Sequence, residues 1–75
     1  MAKTKIEYEI KNKIAELSVA DNGWSVQLNL ISWNGNPAKY DIRAWNEDMT
    51  KMGKGITLTK DEVQALKDTL NKMEV

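Results

Sequence analysis

Trp24-Ser25-Val26-Gln27-Leu28-Asn29-Leu30-Ile31-Ser32-Trp33-Asn34, then Gly35-Asn36-Pro37-Ala38, then Lys39-Tyr40-Asp41-Ile42-Arg43-Ala44-Trp45-Asn46, is the stretch on which the fold turns. Trp24, Val26, Leu28 and Leu30 alternate with Ser25, Gln27 and Asn29. Tyr40, Ile42 and Ala44 alternate with Lys39, Asp41, Arg43 and Trp45. A period of two predicts strands over residues 24–34 and 39–46, because successive side chains of a strand point to opposite faces. The residues between them are turn formers, so the pair reads as a hairpin. Pro37, the sequence's one proline, lies in that connection, where it removes no donor from the ladder.

Working outward, residues 54–58, Lys-Gly-Ile-Thr-Leu, predict a short strand reached through an irregular loop from Asn46 to Gly53 that carries Met49, Lys51 and Met52. A helix is predicted over residues 60–73. Thr59 and Glu62 form a T-x-x-E capping box, with Leu58 and Val63 placed for a hydrophobic staple. Val63, Leu66, Leu70 and Met73 recur at helical spacing. Asp61 and Glu62 in the first turn and Lys72 near the last suit the helix dipole. This stripe reads as core, with part of it free to face a partner chain. On the N-terminal side, Ile6, Tyr8 and Ile10 alternate as in a strand, and Ala15, Leu17 and Val19 alternate in the opposite phase. A bulge near residues 11–13 reconciles them into one bent strand. The rival reading is a helix, since Ile6, Ile10, Ile14 and Leu17 also make a helical stripe. Asp21-Asn22-Gly23 then turns the chain.

Seventy-five residues make one domain, residues 1–75, with a core too small to be comfortable alone. With no cysteine, no disulfide can staple it, and dimerisation is the remaining device. The absence of cysteine and histidine removes thiol and Ser-His-Asp catalysis and the usual transition-metal sites. The acidic pairs Glu47-Asp48 and Asp61-Glu62 lack partners for acid–base work, so no enzyme, catalytic residue, metal or cofactor is expected. No apolar run approaches the ~18 residues of a membrane span. Met1-Ala2-Lys3-Thr4-Lys5 leads into Glu7 and Glu9 rather than the apolar segment of a secretory leader. Eleven basic and eleven acidic residues give zero net charge, so any affinity for nucleic acid must come from sorting of charge between faces or from stacking.

One face supplies such a candidate. Arg43 and Trp45 share a face with Lys39 and Asp41, and Gln27, Asn29, Ile31 and Trp33 share a face of the neighbouring strand. Indole planes offer bases a stacking surface and a guanidinium offers a phosphate fork or a second plane, the combination that single-stranded nucleic acid requires. The competing reading packs Trp33 and Trp45 as a cross-strand pair under a loop or in a dimer interface. Lys51-Met52-Gly53-Lys54-Gly55 sets two lysines among glycines that let a backbone approach phosphate, although it is not a Walker A loop. It reads equally as a flexible loop with solvated lysines.

Trp33, Lys39-Tyr40-Asp41-Ile42-Arg43-Ala44-Trp45 and Gly53-Lys54-Gly55-Ile56-Thr57-Leu58 before one capped helix resemble the transcriptional positive cofactor 4 family of single-stranded-DNA-binding domains. Gly23-Trp24, Ser32-Trp33-Asn34 and Lys51-Met52 extend the resemblance to its bacterial YdbC-like members. The resemblance implies an α+β fold: a curved four-stranded antiparallel sheet followed by one C-terminal helix (ββββα), homodimeric through that helix. It implies binding of single-stranded DNA with little sequence specificity, in transcription regulation, replication or repair, with RNA open as a second ligand. A cytoplasmic, nucleoid-associated protein is implied. Arg43, Trp45 and Lys54 match the binding elements best, with Trp33 and Lys39 after them, and the resemblance implies that the loop near residues 46–55, which carries Lys51, also binds the strand. The aromatic after Asp-Ile-Arg falls one place nearer than in eukaryotic members. A different function class stays open, a dimeric protein-interaction module that docks a partner on the aromatic sheet face.

Overall fold

In the computed structural model, which describes residues 7–74, four strands and a helix follow in chain order: β1 (Tyr8–Val19), β2 (Ser25–Trp33), β3 (Lys39–Trp45), β4 (Met52–Leu58) and α1 (Lys60–Lys72). The strands form one antiparallel sheet in the order β1-β2-β3-β4. The expected ββββα architecture is therefore present. Ile6, the first apolar position of the predicted first strand, and Met1–Lys5 lie outside the described residues. No helix among the described residues is long and apolar enough to cross a membrane.

The ambiguous N-terminal segment is a strand, bent three times rather than once. Its register against β2 slips between Ile10 and Asn12, between Lys13 and Ala15, and between Glu16 and Ser18. Lys11, Ile14 and Leu17 are the extra residues, spaced three apart. That spacing mimics a helical period, which explains why Ile14 and Leu17 also fit the rival stripe. Each bulge bends the strand and increases its twist, so β1 curls over the sheet.

The predicted β2–β3 hairpin is present, and its register sets Ser25 opposite Trp45, Gln27 opposite Arg43 and Asn29 opposite Asp41. Asn34 and Gly35 both have positive φ (51° and 79°), and the Asn36 amide donates to the Trp33 carbonyl at 2.9 Å. This is the backbone that a tight hairpin turn demands, and it is why Asn and Gly stand there. The loop after β3 is ordered by its own polar side chains. Asn46 accepts from the Lys51 amide at 2.9 Å and donates to Thr50 Oγ1 at 2.9 Å, and β4 starts at Met52, two residues before the predicted strand. The Thr50 hydroxyl, donating to Asp48 at 2.7 Å, is the main cause holding the exposed Asp48 carboxyl below the usual carboxylate range. Whatever this bond adds to loop order is full at neutral pH and fades as pH falls through that lowered pKa.

The sheet is curved toward its polar face. Trp33 pairs with Tyr8, and Trp45 pairs with Ser25, eight positions away along β2. On a flat strand those points lie ~26 Å apart. One tyrosine ring nevertheless sits 5.4 Å from Trp33 and 5.6 Å from Trp45. The curvature inverts the burial that alternation suggests. Ser25, Gln27, Asn29, Asp41 and Trp45 on the concave face are buried, whereas Val26, Leu28, Leu30, Tyr40, Ile42 and Ala44 on the convex face are only half-buried.

The capping box forms as read, with the Thr59 amide donating to Glu62 Oε1 at 2.8 Å and the Glu62 amide donating to Thr59 Oγ1 at 3.1 Å. Its stripe, however, is not core within the protomer. Among the described residues the helix meets only β3 and β4, none of its residues is buried, and Leu66, Leu70 and Met73 are exposed. At Gly55, opposite Arg43, a Cβ would overlap the Arg43 side chain and the Ile42 carbonyl oxygen and lie 2.9 Å from Arg43 Cα. Glycine there is a packing requirement of the sheet.

Candidate nucleic-acid interface

The concave face gathers an aromatic cluster from three strands. Tyr8 of β1 is the bridge, its ring tilted 42° to Trp33 and 50° to Trp45. Trp33 is half-buried and Tyr8 is 36% exposed, but Trp45 is 0% exposed. The expectation of an open indole at Trp45 is corrected here, because inward curvature brings Tyr8 against that ring. Nor do the tryptophans form a cross-strand pair with each other, since Trp33 faces Tyr8 and Trp45 lies between Ser25 and Met52. Accessible stacking surface belongs to Tyr8 and Trp33. Tyr8 was absent from the sequence-derived candidates, because an alternating tyrosine at the start of an ambiguous strand carries no sign of which face it joins.

Arg43 lies over the Trp33 ring, its guanidinium carbon 4.9 Å from the ring centroid. Its Nε donates to Asp41 Oδ1 at 2.7 Å, and its Nη1 contacts Met52 Sδ at 3.5 Å. Asp41 is fully buried and also accepts from Thr57 Oγ1 at 3.4 Å. A guanidinium so held has its charge balanced in place and its plane fixed on an indole. Of the two roles read for the guanidinium, phosphate fork or second plane, this geometry presents the plane, with Nε engaged by Asp41.

Lys39, Lys51 and Lys54 are exposed. Lys39 borders a cleft of about 450 Å³ that Trp33, Asn36, Pro37 and Thr57 also line. Lys54 sits where β4 bulges, since Met52 and Gly55 pair with Trp45 and Arg43 and three steps oppose two. Lys51, immediately before β4, closes the loop from Asn46, whose amide donates to its carbonyl. The structure brings Trp33, Lys39 and Arg43 together and sets Lys51 and Lys54 along the β3–β4 margin. At the far end of the concave face, β2 contributes a polar row, Ser25, Gln27 and Asn29.

The family model described as Transcriptional Coactivator p15 (PC4) matches residues 20–69, which include all six sequence-derived candidates. An uncharacterized protein of Treponema pallidum (strain Nichols) is similar, 56% identical over 68 residues, covering 91% of this chain and 80% of that protein. The second similarity is longer than the matched family segment.

Proposed function

The chain belongs to the Transcriptional Coactivator p15 (PC4) family, and from that premise we propose that its concave face binds single-stranded DNA, with little sequence specificity, in transcription regulation, replication or repair. The observation that carries the reading is Trp33, an accessible indole backed by the Arg43 guanidinium, flanked by Tyr8 and opening on a cleft beside Lys39. Bases stack on Trp33 and Tyr8 whatever their identity, because every base has a π-face. Phosphates meet Lys39, Lys51 and Lys54. A duplex hides base faces, and a chain of zero net charge offers it little compensating attraction. Titrating oligo-dT against tryptophan fluorescence tests the reading. Quenching that saturates supports it, and no response to oligo-dT would leave the protein-interaction alternative.

Salt dependence separates the cations. If about four to six phosphates are neutralised per dimer, log K falls against log salt with a slope of roughly -3 to -4. Lys54→Ala is expected to lower affinity and flatten that slope. Arg43→Ala is expected to lower affinity with the slope unchanged, because Asp41 already balances its charge. Equal flattening in both variants would mean that Arg43 reaches phosphate after all.

A homodimer is part of the proposal. Its support is the convex face, apolar and half-open in one protomer, together with exposed Ile56, Leu66, Leu70 and Met73. Burying such a surface is what a domain of this size needs. Leu66→Asp and Leu70→Asp are expected to lose the dimer and the fold together in sedimentation and circular dichroism. A well-folded monomer would refute the idea that the helix stripe serves both.

A further inference from the structure

At the end of the concave face away from Trp33, the sheet bounds an open cleft of about 650 Å³. Its floor is the β2 row Ser25, Gln27 and Asn29, all three buried. The row is connected in one direction. Asn29 Nδ2 donates to Gln27 Oε1 at 3.2 Å, and Gln27 Nε2 donates to Ser25 Oγ at 2.8 Å. Asn29 Oδ1 is left over. Asn29 is 1% exposed, and this oxygen has no hydrogen-bond partner among the described residues. A buried acceptor without a donor is costly, and Asn29 lines the cleft, so a ligand donor admitted to this floor would satisfy it.

The rim decides what kind of donor. Glu16 stands opposite Gln27 and Lys13 opposite Asn29 in the β1–β2 register, and Glu47 comes from the loop after β3. Two carboxylates above an unpaired amide oxygen repel phosphate and attract N–H groups. Resting on the reading of this face as a single-stranded-DNA interface, we propose that the cleft is a base-edge subsite selecting a nucleobase with an exocyclic amine, cytosine or adenine, over thymine or uracil. One amine N–H reaches Asn29 Oδ1 and the second reaches a rim carboxylate. The adjacent ring nitrogen accepts from the Asn29 N–H that Gln27 does not use. Uracil can give its N3–H to Oδ1 and accept the Asn29 N–H at its C4 oxygen, but it has no second N–H for the rim carboxylates, which would then face its carbonyls, acceptor against acceptor. Lys13, a long exposed side chain, swings out as the base enters and meets its phosphate. Stacking at Trp33 stays indifferent to sequence, so the preference belongs to one position of the bound strand.

Oligo-dC and oligo-dU of equal length isolate the amine, since neither carries a methyl group and the bases differ at the C4 substituent and N3 protonation. Measured by anisotropy at mildly alkaline pH, where cytosine is unprotonated, the native chain is expected to bind oligo-dC roughly five- to tenfold more tightly. Asn29→Leu is expected to bring oligo-dC down to the oligo-dU level and leave oligo-dU binding unchanged. If that variant does not fold, Glu16→Gln, on exposed β1, is expected to shrink the ratio. Equal binding of the two strands by the native chain would overturn the subsite while leaving single-strand binding intact. So would a preference that survives in every folded variant of this pair. Binding of neither strand would overturn the DNA reading and the subsite with it.

Discussion

Gly55→Ala is expected to abolish cooperative folding. The added Cβ would meet backbone and near-backbone atoms, the Ile42 carbonyl oxygen and the Arg43 Cα and Cβ, and none of these can swing aside as a side-chain tip can. The β3–β4 ladder would have to part where it also sets Arg43 over Trp33. Forced overpacking costs roughly 3 kcal/mol or more at such a site. A single core of this size supplies no more than ~3–5 kcal/mol. Gly35→Ala is the matched control. Its Cβ would meet open space, so only the positive φ of 79° is penalised, at ~1 kcal/mol. Circular dichroism melts of the two variants decide the matter. A Gly55→Ala protein that melts within a few degrees of the native chain would show that the sheet yields there.

Trp33→Ala and Trp45→Ala are expected to fail in different assays. Trp33→Ala removes the open stacking plane and should cost ~1–3 kcal/mol on single-stranded DNA, roughly five- to 150-fold in affinity, and much less on the annealed duplex. Its fold should survive, because the indole is only half-buried. Trp45→Ala empties a fully buried site against Tyr8 and should cost ~3–5 kcal/mol of stability. Thermal melts and anisotropy on one oligonucleotide, free and annealed, separate the two. Were Trp45→Ala to keep native stability and lose only single-strand affinity, Trp45 would be the platform and the burial argument would fail. Equal losses of Trp33→Ala on both DNA forms would remove stacking as the mechanism.

Local pattern was a good guide wherever one strand or one helix end decides the outcome. The alternation of residues 24–46, the turn at Asn34-Gly35 and the Thr59–Glu62 box each satisfy their own backbone groups within a short span, so neighbouring residues suffice to specify them. β1 was harder, because three bulges impose a spacing of three on Lys11, Ile14 and Leu17, and a spacing of three belongs to helices as much as to bulged strands. The candidate lysines needed no structure to be placed in solvent. The aromatics did, since residue type and face leave open whether a ring on a curved sheet is platform or core.

The sequence by itself determined the order of elements, the β2–β3 hairpin, the assignment of Gln27, Asn29, Trp33, Lys39, Arg43 and Trp45 to one face, and the lack of any cysteine or histidine chemistry. Only the tertiary structure decided which face is interior to the protomer. Curvature is a sum of small bends along β1 and twists between strands, and it depends on pairings between residues far apart in the chain. That curvature buries Trp45, lets Tyr8 bridge to Trp33, and leaves the Asn29 oxygen without a donor above an otherwise ordinary polar strand. It likewise leaves the apolar convex face half-open, because a helix that meets only β3 and β4 cannot cover the outside of a sheet that bends away from it.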